Sequence, residues 1–171
     1  PSEIGMETSN GHYGRKVRIK NAKSGKTDKT FNTGIYKKAE VRDNYHWLTI
    51  NTAEGYAMTF RAYNDGAAYR FETTAAGNMT VKNETSEYHF DGDYKTFVPY
   101  VNDNRGGEKW CYSFESYYDE APLSAMFADT LSITPLAVCL PNGMKAVIMD
   151  CGVEDYPGMY LVKGEGNSLA P

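Results

Sequence analysis

Cysteine is scarce in this sequence, with only Cys111, Cys139 and Cys151 among 171 residues. Three cysteines without a C-x-x-C spacing exclude a disulfide-stapled miniprotein and leave room for one bridge at most. Histidine is equally sparse: His12, His46 and His89 stand apart from one another and from the cysteines, with no spacing suited to a structural zinc. No apolar run approaches the length of a membrane span, and no charged-then-apolar leader opens the chain. The start "PSEIGMETSNG" reads as a cut or mature end. Positive charge is also in deficit. A formal net charge of -4 and a pI near 5.4 argue against a nucleic-acid binder, whose footprint is a strong basic patch. The local cluster "GRKVRIK" (14–20) reads as the solvated face of a strand. A long helical apolar stripe is missing as well. The segment "DEAPLSAMFADTL" (119–131) is the one place for a helical turn, and Pro122 limits it.

Strand signals fill the space these absences leave. Hydrophobic residues make up 41%, charged residues 23%, and 14 tyrosines lead an aromatic share of 13%, the profile of one folded domain with a real core. In "YAMTFRAYNDGAAYRFE" (56–72), Met58, Phe60 and Ala62 alternate with Thr59, Arg61 and Tyr63. The chain then turns at Asn64-Asp65-Gly66 and alternates again through Ala67, Tyr69 and Phe71. Asp-Gly between alternating runs is a strong hairpin cue, because a tight two-residue turn needs positive φ at both positions. "YHWLTINT" (45–52) and "SEYHFDGDYKTFVPYV" (86–101) repeat the idiom, the latter with Asp91-Gly92. "LSITPLAVCL" and "PNGMKAVIMD" form a second hairpin through Pro141-Asn142-Gly143. "NAKSGKTDKTFNTG" (21–34) reads as an exposed loop, and "VKGEGNSLAP" (162–171) as a chain leaving its domain. Many short strands separated by turns predict an all-β, antiparallel sandwich or barrel.

Several segments, taken together, resemble the N-terminal domain of glycoside hydrolase family 97, a bacterial α-glucosidase and α-galactosidase family of gut Bacteroidetes. They are "PSEIGM" (1–6), "MTFRAYNDGAAYRFE" (58–72), "FESYYDEAPLSAM" (114–126), "TPLAVCL" (134–140) and "VIMDCGVEDYPGMYL" (147–161). The resemblance implies a β-supersandwich like that of galactose mutarotase, one domain over residues 1–171, in a periplasmic enzyme. It covers the central part of the family domain, which begins before "PSEIGM" and continues past "YPGMYL". In the family this domain packs on a catalytic (β/α)8 barrel that acts on α-linked oligosaccharides. Nothing in these 171 residues resembles a barrel. The catalytic carboxylates of such an enzyme belong to the barrel, so the chain alone is expected to be inactive. An apolar face left for the barrel would favour self-association.

"AVIMDCGVEDYPGMYL" (146–161) holds the candidate site. Family members generally carry a glutamate at the position of Asp150, and the resemblance implies that it reaches a calcium ion shared with the barrel. Calcium takes six to eight oxygen ligands, and carboxylates from two domains can share one ion. Asp150 keeps the charge with one methylene less reach. A surface acid ending an edge strand is the plain alternative. Glu154 and Asp155 are weaker binding candidates, more in keeping with solvating the turn before Pro157-Gly158. Two other functions stay open on the residues. A stand-alone carbohydrate-binding module would stack sugars on Trp47, Trp110 and tyrosines. An aldose epimerase would need His46, His89 and a nearby acid to supply the base and acid that open a sugar ring. The neighbourhood of Cys111, Ser113 and Ser116 has no adjacent histidine or oxyanion loop and is not a nucleophile motif.

Overall fold

A computed structural model describes residues 2–73, 76–101, 117–154 and 156–171. Its elements in chain order are strands β1 (Ile4–Thr8), β2 (Gly11–Tyr13), β3 (Ile19–Asn32), β4 (Glu40–Thr52), β5 (Tyr56–Ala62), β6 (Ala67–Thr73) and β7 (Val81–Ser86). There follow β8 (Tyr88–His89), β9 (Lys95–Val98), β10 (Asp119–Pro122), β11 (Leu136–Cys139), β12 (Lys145–Ile148), β13 (Val162–Lys163) and β14 (Ser168–Ala170). Helix among the described residues is limited to two 3-10 turns, Leu123–Ala125 and Pro141–Gly143. None is long and apolar enough to cross a membrane. The pairings are antiparallel, so the chain is all-β as its alternation predicts. It forms two compact units, Met6–Lys82 and Pro1–Gly5 with Asn83–Pro171.

In the unit Met6–Lys82 the principal sheet runs β3-β4-β5-β6. The β5–β6 hairpin keeps the register read from the sequence, Met58 facing Phe71 and Phe60 facing Tyr69. Its loop takes four residues, closed by the Tyr63 N–H donating to the Gly66 carbonyl at 2.8 Å. Neither Asp65 nor Gly66 has positive φ, as suits a loop built around a type I turn. Tyr56 is 2% exposed and stacks on Tyr13 at 4.2 Å between ring centroids. Its hydroxyl accepts the Gly14 N–H at 2.8 Å, which meets the polar need of a buried tyrosine. The expected loop at 21–34 is instead most of β3, paired with β4 from Ile19 to Asn32. It is exposed nearly throughout, so neither face needs apolar residues, and the alternation that marks a strand is absent. The basic cluster 14–20 is exposed as expected, but only Ile19 and Lys20 are in a strand.

In the other unit a four-stranded sheet runs β10-β9-β11-β12 and a three-stranded one runs β13-β14-β8. Val98, Leu123, Leu136, Val138, Leu161 and Leu169 are fully buried in its core. The β11–β12 hairpin has the expected turn, with Asn142 at φ 63 and Gly143 at φ 76. Asp91-Gly92 does not close a hairpin. β8 and β9, on either side of it, belong to different sheets. Tyr94 donates its hydroxyl to Asp91 at 2.7 Å, and Asp93 accepts the Ser124 N–H at 2.8 Å and hydroxyl at 2.6 Å. That segment is therefore a crossing point held by side chains. The expected leaving tail is a packed element: β14 pairs with β13 and β8, and Leu169 lies in the core. The expected helical turn shrinks to Leu123–Ala125, because Asp119–Pro122 pair with β9 as β10.

Candidate functional site

Asp150 lies two residues beyond β12; Ile148, at the end of that strand, is buried in the core, and Val147 and Met149 on either side of it are exposed. Its carboxylate is half-buried and turned back into the protein. Oδ1 accepts the Thr134 hydroxyl at 2.5 Å, and Oδ2 accepts the Met159 backbone N–H at 2.8 Å. Burial works to raise its pKa, but the bonds from Thr134 and Met159 together outweigh it and hold the group below its ordinary 3.8. A second tie lies just beyond. Ser132 and Leu161 exchange two backbone hydrogen bonds at 2.8 Å, and the Ser132 hydroxyl donates to the Leu161 carbonyl at 2.9 Å. The loop between Asp150 and Met159 is thus pinned at its base by one charged acceptor and one buried bridge.

The acids of the loop have different roles. Glu154 is exposed and takes no part in these bonds, and Asp155 lies outside the described residues. Tyr156 reaches from the same loop to Glu84, donating its hydroxyl at 2.7 Å. The sequence singled out neither Thr134 nor Tyr156. Thr134 opens the "TPLAVCL" segment and Tyr156 the "YPGMYL" piece, but neither stood out for what its side chain binds.

Calcium asks for six to eight oxygens. Among the described residues no group of three or more histidine, cysteine or acidic side chains is placed to hold a metal. Asp150 is a single carboxylate whose two oxygens each already accept a hydrogen bond. This donor set does not make a calcium site within the chain.

His89 is held at the surface by Glu87 at 3.0 Å. His46 is exposed and is flanked across its sheet by Lys26 and Ala62. Cys139 and Cys151 are free thiols; Cys111, Ser113, Ser116 and Trp110 lie outside the described residues. Trp47 is half-buried on β4, with its indole lying against the backbone of Gly25.

The comparisons with known proteins point one way. The family model described as "Glycosyl-hydrolase 97 N-terminal" matches residues 1–170. A retaining α-galactosidase of Bacteroides thetaiotaomicron is 34% identical over 170 residues, which is 97% of this chain and 26% of that protein. A glycoside hydrolase family 97 enzyme from Pseudoalteromonas sp. strain K8, solved with acarbose, superposes with a TM-score of 0.76. It has 20% identity over 98% of this chain and 26% of its own. A crystal structure of a β-arabinopyranosidase superposes with a TM-score of 0.83 at 21% identity, over 98% of this chain and 28% of that one. The chain therefore spans about a quarter of the length of its relatives, and at these identities the solved structures speak for the fold alone. They share the antiparallel β-sandwich of family 97 N-terminal domains. With a match from residue 1 to residue 170, this chain belongs to the glycosyl-hydrolase 97 N-terminal family.

Proposed function

We infer that this domain serves a family 97 α-glycosidase as a non-catalytic support, packing on the catalytic domain and acting with it on α-linked oligosaccharides. The observation that carries the reading is an apolar surface on the β3–β6 sheet. Leu48, Phe60 and Tyr69 form one cross-strand row, and Ile50, Met58 and Phe71 form the next. Six large apolar side chains thus share one sheet face; Leu48 is exposed, the other five are half-buried, and Phe71 packs near the buried Tyr13 and Tyr56. A sheet is stable with one face covered, and contiguous apolar rows of this kind mark a surface that packs on a partner. The fourfold greater length of the relatives supplies such a partner in the same polypeptide.

Hydrolysis of nitrophenyl α-galactoside and α-glucoside tests the division of labour. The chain alone is expected to turn over neither, and the longer enzyme at least one. Turnover by the chain, abolished by a point change within it, refutes the reading. Each Asp150 oxygen keeps lone-pair capacity beyond its hydrogen bond. A share in a calcium ion, with all other ligands from the rest of the enzyme, therefore belongs to this proposal. Calcium titration of activity in the longer enzyme and its Asp150→Asn variant decides it. A raised half-saturation supports the share, and equal values leave Asp150 as a loop brace.

A further inference from the structure

The opposite face of the β3–β6 sheet is polar and carries a shallow groove of about 270 Å³. Its rows follow from the strand register. Gly25, Trp47, Arg61 and Ala68 form one, and Lys23, Thr49, Thr59 and Arg70 form the next. The first row has a large aromatic and a guanidinium at its centre and two small residues at its ends. Gly25 is required there: an added Cβ would stand 2.7 Å from the Trp47 ring. Without one, the indole lies against the backbone of β3. Arg61 is fixed in turn, its guanidinium 4.4 Å above the ring of Tyr45, which is only 8% exposed.

Beside the indole stands an ordered polar set. Thr49 and Thr59 share a hydrogen bond of 2.9 Å. Glu72 accepts the Thr59 hydroxyl at 2.6 Å and Arg70 Nε at 3.0 Å on the same oxygen, Oε1. The bond from Thr59 is the main cause that keeps Glu72 below the usual carboxylate range, with Arg70 assisting against burial. A charged acceptor and a charged donor thus stand side by side, already oriented, in the same groove as the half-buried indole and two strands away from it. A ladder of polar cross-strand pairs that merely stabilises the sheet explains the threonines and Glu72. It has no need of an indole laid over a glycine on the polar face.

We propose that this groove binds a hexopyranose unit of a neutral α-linked oligosaccharide. The apolar C–H face of the ring lies on Trp47 with Arg61 beside it, and hydroxyls of the adjoining sugar unit donate to Glu72 and accept from Arg70. A pyranose fits the set because it is amphipathic in the same way, with an apolar face and an edge of paired donors and acceptors. A small anion fits worse, because Glu72 already occupies Arg70. The choice of α-linked sugars rests on the glycosidase reading above; the groove itself does not.

The test is titration of the full chain carrying Trp110→Phe, which leaves Trp47 as its only tryptophan, with melibiose and with maltotriose. A saturable change in emission is expected, matched by saturable heat in calorimetry. Gly25→Ala lifts the indole without removing a polar group, and Glu72→Gln removes the charged acceptor. Each is expected to weaken binding about threefold to tenfold, the scale of one aromatic contact or one polar contact, with an unchanged circular dichroism spectrum. Trp47→Ala, followed by calorimetry, is expected to abolish binding. Absence of saturation with both sugars overturns the proposal, as does binding indifferent to Gly25→Ala and Glu72→Gln. Saturation by sodium sulfate in preference to either sugar also overturns it and makes the groove an anion site. Activity of the longer enzyme on nitrophenyl glycosides is read separately, so an active glycosidase with an inert groove refutes this inference alone. A sugar-binding groove in an enzyme without glycosidase activity refutes only the other.

Discussion

Replacing Asp150 with alanine removes the acceptor for both the Thr134 hydroxyl and the Met159 N–H. A hydrogen bond to a charged group contributes about 1.5–3 kcal/mol, and its donors are costly to leave unpaired. Asp150 is half-buried, so water screens part of that effect and reclaims part of the exposed donors, which brings the expected loss to about 2–3 kcal/mol. For a chain of this length that lowers Tm by about 4–12 °C. An asparagine side chain keeps an oxygen for Met159 and an amide for Thr134, so Asp150→Asn is expected to lose only about 1 kcal/mol, the charge assistance. The sign of the pH dependence follows from the lowered pKa. The contribution of the carboxylate is complete above the unfolded value near 3.8 and disappears as pH falls through the folded one. The gap between the parent and Asp150→Asn should therefore be constant near neutrality and close in acid. Urea denaturation of the parent, both variants and a Thr134→Val cycle measures it, with a coupling of about 1 kcal/mol expected between the two residues. A loss below about 0.5 kcal/mol for Asp150→Ala, the range of ordinary surface changes, would show the carboxylate to be a solvated rim acid.

Leu169→Ala is expected to cost about 2–5 kcal/mol in the same assay, since Leu169 is fully buried with Val98 and Leu136; a loss under about 1 kcal/mol would mean that the final strand does not pack. Asp93→Ala removes both bonds that seat Ser124, so amide exchange at Ser124 should accelerate at neutral pH, and an unchanged rate refutes the seating. These bonds hold the Asp93 pKa down, so the difference in exchange should vanish in acid, where the parent carboxylate is also protonated. The isolated chain is expected to self-associate at high concentration through the rows of Leu48 and Ile50, and a Leu48→Glu, Phe60→Glu double variant to sediment as a monomer. Equal sedimentation of both proteins would remove those rows as a docking face.

What could be read in advance was local. Alternation through Met58, Phe60 and Ala62, and again through Ala67, Tyr69 and Phe71, announced β5 and β6 because each strand presents an apolar and a polar side. The cue at Asp65-Gly66 found the turn for an inexact reason, since the loop has four residues and negative φ at both. Where both sides of a strand meet solvent, as in β3, the pattern that betrays strands has nothing to encode. Where a short segment is committed to a sheet by a distant partner, as β8 is by β14, its own residues cannot say so. Asp150 combines both situations. Its place at the end of an alternating run was visible, but its partners lie 16 residues before it and 9 after it in the chain. A loop acid that braces the fold therefore reads in sequence like one that waits for a ligand.

The outermost strand of the β3–β6 sheet has a spacing of its own. Lysines stand at 20, 23, 26 and 29, three residues apart, in a strand whose side chains alternate every two. The mismatch between three and two sends Lys26 to one side and Lys23 and Lys29 to the other, while Lys20 sits at the register irregularity between Ile19 and Asn21. An incoming strand from another molecule would have to bury ammonium groups whichever side it favoured, and the same polar residues that hide β3 from pattern reading guard its open backbone against unwanted pairing. Among the described strands the sheet ends at β3, and that border carries charge on both sides.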